Sequence, residues 1–402
     1  ARLTVHHMMG IAPARPDACA MMTTEKLADS DRGAPSASAC MSVMVMLLLS
    51  MSILLSISTW LAASVVTDYF SLWYDVETST TALLTVATQL GFMVSAFAQA
   101  IAMLPDRVNC RWLMAIGGLS AASVNALMLW APTFEAALAL RFLTGVSMAL
   151  VYPPATKVVS TWFVENRGLA MSILVGSISP GSGLPSLIKA LPFGDLWSTR
   201  EGFILLTQVT CAMSVLGALI PVVCIRDGPY PFPAAKKFSL RLVPSILSSK
   251  PAALVMLGYG GHSWELYAMW SSLPLFLASA FERTGYESGA ASQHAALVTF
   301  ITICLGGLAC VLFNLLAERW SRAKTCIALS VASGACSLAI GHVLTLSLPV
   351  TLALVVFWGL VVVPDSPQYT TMLTELVEPP LVGTALVLMQ AFGFLCTIPM
   401  IF

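Results

Sequence analysis

The sequence predicts an all-α protein whose helices cross a membrane many times, and three observations carry that expectation. Of 402 residues, 57% are apolar and only 10% are charged, against roughly 25% charged in an ordinary soluble domain. The apolar residues come in blocks, and a block such as 41–60 holds no charge over the ~20 helical residues needed to cross a hydrocarbon layer. The blocks also lack the apolar/polar alternation over about ten residues that marks barrel strands. Backbone groups cannot go unpaired in lipid, so helices are the remaining solution.

Residues 1–40 are rich in Ala, Pro, Ser and charge and contain no apolar run, which predicts a disordered tail. The first apolar block begins near residue 41 and is too long for a secretory signal. Eleven apolar segments follow, at 41–66, 80–104, 112–131, 134–156, 167–190, 203–225, 251–278, 295–317, 325–346, 348–371 and 380–402. Each is long enough to span the bilayer as a helix. The chain starts with Ala and stops inside an apolar run, which reads as a fragment that has lost its C-terminal end.

Lys and Arg set the expected orientation. With the tail in the cytoplasm, the tail and the loops on its side carry sixteen of them, including Arg2, Arg15, Lys26, Arg32, Lys236, Lys237 and Arg241. The opposite side carries three, Lys189, Arg200 and Arg283. The longest internal loop, near 226–250, separates six segments from five. Leu104-Pro105-Asp106-Arg107 before the third segment returns as Leu316-Ala317-Glu318-Arg319 before the ninth, 212 residues later. The expected organisation is a cytoplasmic tail (1–40), a six-helix bundle (41–226), a cytoplasmic linker (227–250) and a five-helix bundle (251–402). A chain of two such halves should have six helices in each, so eleven of twelve are expected here.

Zero net charge leaves no case for nucleic acid. The ten cysteines are scattered without a CxxC pair, so no metal site is expected and buried small hydrophobes are the plain reading. No Walker loop, GxSxG or HExxH occurs. The expectation is therefore not an enzyme, with no cofactor and no metal.

The residues that could carry chemistry are the ionisable ones inside apolar segments, which are costly there and usually functional. Glu265 lies near the middle of the seventh segment, with His262 three residues earlier and on the same face of a helix. A carboxylate at that depth must protonate, find a cation or line a water-filled cavity. Its competing role is a hydrogen bond that glues neighbouring helices. Arg141, in the fourth segment, keeps its proton and needs a partner, either an anionic solute or an outer-loop acid such as Asp75 or Glu77. Pro364-Asp365-Ser366-Pro367 interrupts the tenth segment. Asp365 or Ser366 is expected to cap a restarted half-helix there, whose N-terminus could also greet an anion. Pro180-Gly181-Ser182-Gly183 reads as a similar break or a place of close helix packing. Tyr259 and Gln368 are further lining candidates. Asp106 can cap the third helix and pair with a basic residue.

The stretch from Ala102 to Arg111 resembles the signature loop of the major facilitator superfamily, Gly-x-Leu-x-Asp-Arg-x-Gly-Arg-Arg. Leu104, Asp106, Arg107 and Arg111 match it, while both glycines are replaced and Cys110 stands at one basic position. Arg141-Phe-Leu-Thr-Gly145 is similar to the family's Arg-x-x-x-Gly motif. Stretches 160–185, 258–277 and 365–393 resemble a branch of the superfamily loosely labelled nitrate/nitrite- or cyanate-type permeases. The resemblance implies two pseudo-symmetric helical bundles around a central cavity. It further implies a cytoplasmic latch at Asp106, Arg107 and Arg111, with Glu318, Arg319 and Arg322 as its repeat, and a role for Arg141 near the transport path. The expected function is secondary transport of a small polar or anionic solute, with H+ as coupling partner, by a monomer in the lipid bilayer. Efflux of hydrophobic compounds and a non-transporting sensor are the alternatives.

Overall fold

A computed structural model describes residues 39–230, 246, 248–343 and 347–398. The expectations for the tail and for most of the 227–250 linker lie outside the described residues. So do the ends of the ninth and eleventh segments and the side chain of Asp106. Among the described residues every regular element is a helix. They are α1 (Ala39–Ser56), α2 (Ala62–Val65), α3 (Thr67–Tyr74), α4 (Leu83–Ala102), α5 (Leu104–Arg107), α6 (Cys110–Leu127), α7 (Phe134–Met148) and α8 (Tyr152–Trp162). Then come α9 (Arg167–Lys189), α10 (Arg200–Cys224), α11 (Lys250–Glu282), α12 (Ser288–Arg319), α13 (Arg322–Val343), α14 (Leu348–Val362), α15 (Ser366–Leu376) and α16 (Val382–Thr397). Among the described residues, nine helical stretches are long and apolar enough to cross a membrane. They leave out α11, the helix that carries His262 and Glu265, and the shorter α16. The chain is an integral, multi-pass membrane protein.

Helix starts follow local chemistry. Asn109 caps α6 by accepting from the Arg111 amide at 3.0 Å, and Thr133 caps α7 through the Ala136 amide at 3.3 Å. Asn109 therefore does the capping expected of Asp106, because the turn of α5 places Asp106 three residues before the N-cap position of α6. Prolines at the first or second position open α8, α11, α14 and α15, where the missing N–H costs nothing.

Two spans are broken in the middle. Residues 149–151 separate α7 from α8, and residues 363–365 separate α14 from α15. The breaks sit at matching places in the two halves, because Val151 and Val363 are 212 residues apart, the spacing of the Leu104/Leu316 repeat. The first span also breaks, after a 3-10 turn at Ile57–Thr59. The expected break at 180–183 does not occur. α9 runs unbroken through Pro180 and Pro185, and Gly181 instead lets α9 lie against α1, where a Cβ would come 2.5 Å from the Leu54 carbonyl.

Lipid tails are as apolar as Leu, so helix association rests on close backbone approach and interhelical hydrogen bonds. α4 and α7 meet through Gly91 and Gly145. A Cβ on Gly91 would collide with the Phe142 carbonyl, and one on Gly145 with the Thr88 carbonyl. Gly145→Ala should lower unfolding stability in detergent by about 1–3 kcal/mol from overpacking, seen as a drop in melting temperature; an unchanged melt would refute this packing. Polar ties are buried too. Ser52 Oγ donates to the Gly217 carbonyl at 2.7 Å and Ser214 Oγ to the Gly118 carbonyl at 2.9 Å, holding α10 against α1 and α6.

Helices from the first half of the chain, up to α10, meet those of the second half, from α11, along two seams. α9 packs on α12 and α4 on α16. On the second seam Thr397 Oγ1 donates to Gln89 Oε1 at 3.0 Å.

Candidate functional site

Two consecutive cavities lie along the interface of the halves, and α11 lines both. The inner one is lined by Trp60, Phe92, Tyr152 and Ser179 of the first half and by Tyr259, His262, Tyr267, Trp270, Ser366 and Phe394 of the second. It is small, about 40 Å3, room for one or two waters. His262 lines it, and Asp365 stands behind the ring with Oδ1 2.7 Å from Nδ1. The two side chains are 3% and 5% exposed. Burial this deep disfavours an uncompensated charge on either group. The break before α15 makes this possible. It puts Asp365 at the N-cap position, yet the side chain makes no capping bond and reaches His262 instead. The expected capping bond is not made, and the carboxylate lies against the imidazole instead.

Two further donors belong to the chamber. The indole nitrogens of Trp60 and Trp270 are buried without a partner among the described residues, and both rings line the cavity. An orphaned buried N–H is costly and rare, so paired donors at this wall would suit a polar acceptor in the chamber. Aromatic rings from both halves close the chamber on one side. Phe92 and Phe394 are 4.3 Å apart, Trp60 and Phe394 5.4 Å, and Tyr267 and Phe394 5.1 Å.

Past this aromatic closure lies a wider vestibule of about 280 Å3, lined by the outer turns of α9 and α11 and by hydroxyls from both halves. The opposite end of the interface, where most loop Lys and Arg lie, is sealed. Phe97 of α4 packs into a core cluster of the second half built around Tyr259, Tyr369, Leu386 and Met389. Arg322 is seated there too. It donates to Gln368 Oε1 at 3.0 Å and lies 3.4 Å from Glu375. Its guanidinium abuts Gly168 of the first half, where a Cβ would come 2.7 Å from Nη1.

A family model described as Major Facilitator Superfamily matches residues 39–399. The chain belongs to the Major Facilitator Superfamily. Monocarboxylate transporter 12-B of Danio rerio is 28% identical over 155 residues, 37% of this chain and 31% of that protein. Multidrug efflux pump LfrA of Mycolicibacterium smegmatis is 28% identical over 184 residues, 44% of this chain and 36% of that protein. The matched stretches thus span about a third of these relatives' length. A crystal structure of a D-xylose-proton symporter superposes with a TM-score of 0.66 at 14% identity, covering 90% of this chain and 88% of that one. The shared fold is the superfamily's.

Within this superfamily fold the remaining candidates separate. Tyr259 lines the chamber, its ring 5.7 Å from that of His262. Gln368 lies off the chamber, fully buried and tied to Arg322. Arg141 is buried, 1% exposed. It donates to the Thr59 carbonyl at 3.1 Å and to the Trp60 carbonyl, and among the described residues it forms no ion pair with Asp75 or Glu77. It thus satisfies carbonyls that the break in the first span leaves without helical donors. No Pro or Gly marks that break, so the sequence carried no signal for this partnership.

Glu265 lies away from the chamber, in a groove of about 460 Å3 between α11, α13 and α14. Its carboxylate accepts from Ser333 Oγ at 2.8 Å and from Trp358 Nε1 at 3.0 Å. Helical phase explains the separation from His262. Three residues leave the two side chains about 60° apart around the axis, enough for one to face the interface and the other the neighbours inside the same half. Glu265→Gln offers an acceptor to only one of the two donors. It should cost about 1–3 kcal/mol of stability and leave solute-driven proton movement unchanged; lost proton movement in a stably folded variant would overturn this assignment. Of the latch candidates, Arg107, Glu318 and Arg319 are exposed. Arg111 lies over Trp112 at 5.9 Å. Arg322 meets the other half at Gly168, and the turn α5, which carries Arg107, packs against α16 of the other half.

Proposed function

We propose that this protein is a proton-coupled secondary transporter of a small anionic solute, working by alternating access. The observation that carries the reading is the His262–Asp365 pair, buried at 2.7 Å beside a chamber between the halves. One shared proton leaves the pair net neutral. A second gives it a positive charge that a low-dielectric chamber disfavours. An anion entering with that proton restores neutrality, so the two travel together. At ~5 Å and an effective dielectric of about 20, their attraction is worth about 3 kcal/mol. The orphaned indole N–H groups of Trp60 and Trp270 are fitting donors to the same anion. The wider vestibule lies on one side of the chamber, and on the basic side Phe97 packs into the second half. With the basic end in the cytoplasm, as the Lys and Arg bias favours, this packing supports an arrangement closed to the cytoplasm, with Arg322 against Gly168 as the inner latch. The monocarboxylate transporter relative and the resemblance to nitrate- and cyanate-type permeases both agree with an anion.

The aromatic walls of the chamber favour a second reading, efflux of hydrophobic compounds, which fits the similarity to a multidrug efflux pump. Proteoliposomes separate the two. Inward gradients of small carboxylates and inorganic anions should each be tried against lipophilic cations, with internal pH recorded. Acidification driven by an anion supports the symporter. Proton movement opposite to a lipophilic cation supports efflux and overturns the anion reading.

A further inference from the structure

The vestibule holds a second cluster that the coupling mechanism does not use. Lys189, in the last turn of α9, is 13% exposed, and among the described residues its ammonium is paired with Asp68 at 3.9 Å, too far for a hydrogen bond. Lys189 and Asp68 sit where the vestibule meets an adjoining recess of about 270 Å3. Trp197 lines that recess, is 4% exposed, and its indole nitrogen is buried without a partner among the described residues. Ser288 and Gly289, which open α12, line it as well. Their amides belong to the first turn, which has no intrahelical acceptors and favours negative charge. A loosely paired ammonium, an orphaned indole N–H and a helix N-terminus therefore surround one space.

The vestibule wall presents the opposite chemistry. Ser64, Thr81 and Ser271 line it, and their hydroxyls already donate to the carbonyls of Leu61, Thr78 and Tyr267 at 2.8, 2.6 and 2.7 Å. Such hydroxyls have only lone pairs left to offer. Donors converge on the Lys189 end and acceptors line the remainder.

We propose that Lys189, Trp197 and the start of α12 form an outer subsite for a small hydroxylated carboxylate, separate from the His262 chamber. The carboxylate takes the ammonium that Asp68 holds at a distance, and the hydroxyls donate to Ser64, Thr81 and Ser271. This deepens the transport reading by naming the solute class and its first station.

The test uses the full chain, purified in detergent, with glycerate as probe, nitrate as a charge without hydroxyls and glycerol as hydroxyls without charge. Binding is read from tryptophan fluorescence and from the rise in melting temperature. Glycerate should bind the wild type more tightly than nitrate, and glycerol should not bind. Lys189→Gln should raise the half-saturating concentration about tenfold or more, as loss of a charge-assisted contact does, and Lys189→Arg should restore most of it. Trp197→Phe keeps the ring and should weaken binding by a smaller factor, read from melting temperature. Asp68→Asn should tighten it. Glycerate binding equal in Lys189→Gln and wild type, or none in wild type, overturns the subsite. Nitrate binding as tightly as glycerate overturns the hydroxylated class. Proteoliposome uptake distinguishes the two readings. Glycerate bound at Lys189 but never moved defeats transport and leaves the subsite; anion-driven proton movement unaltered in Lys189→Gln defeats the subsite and leaves transport.

Discussion

Asp365→Asn should abolish net proton movement and uphill solute accumulation in proteoliposomes while leaving the protein folded. Asn has nearly the volume of Asp, and its carbonyl can still meet His262 Nδ1 across the 2.7 Å that now separates the pair. The packing around the break before α15 therefore survives. What is lost is the charge. Asn neither takes nor releases a proton, and an imidazolium beside it lacks the carboxylate that stabilises it in the buried chamber, so His262 should no longer take up the proton that accompanies the anion. Exchange of labelled for unlabelled solute should persist, because it needs the halves to rock with solute bound but no proton to leave. His262→Gln should remove coupling too, at a larger cost in stability of about 3 kcal/mol, since it leaves a buried carboxylate without its cation. Acidification at the wild-type rate in Asp365→Asn would remove the pair from the mechanism.

A side chain at Gly307 should stop transport with both halves still folded. Gly307 on α12 and Gly176 on α9 face each other across the seam. A Cβ on Gly176 would come 2.5 Å from the Gly307 carbonyl, and one on Gly307 would collide with the Gly176 carbonyl. Gly145 packs within one half, so its replacement damages that half's fold, whereas the Gly176–Gly307 contact joins two units that the proposed alternating access requires to move past one another. Strain of about 1–3 kcal/mol in the packed arrangement shifts the balance between packed and parted helices about 5- to 150-fold. Gly307→Val should thus cut uptake about tenfold or more, with helix content and elution on size exclusion unchanged. Wild-type uptake in that variant would show that the seam tolerates separation.

Arg141 shows how the burial of a charge misleads when only spacing is known. Its place in an apolar segment marks it as costly, and that much holds. Among the described residues it meets the carbonyls of Thr59 and Trp60 rather than Asp75 or Glu77. Those oxygens are free because the first span breaks, and no proline or glycine announces the break. The break in the tenth span was legible, since Pro364 and Pro367 cannot continue a helix. Its consequence was not, because His262 is about a hundred residues away in the chain and only packing brings it to Asp365.

The sequence by itself determined that this is a helical membrane protein and where its apolar helices lie, and it showed a motif that recurs 212 residues apart. These follow from composition, the length of apolar runs and a motif that recurs, all local properties that a bilayer reads one segment at a time. It also drew attention to Glu265, His262, Asp365 and Arg141, because an ionisable group in an apolar run is conspicuous wherever it points. Only the tertiary structure decided which of them meet. His262 and Glu265 differ by three positions on one helix, yet one faces the seam between halves and the other its own half. That choice depends on how α11 is rotated against α13, α14 and α16, and the rotation is set by contacts between residues far apart in sequence, which no local pattern encodes.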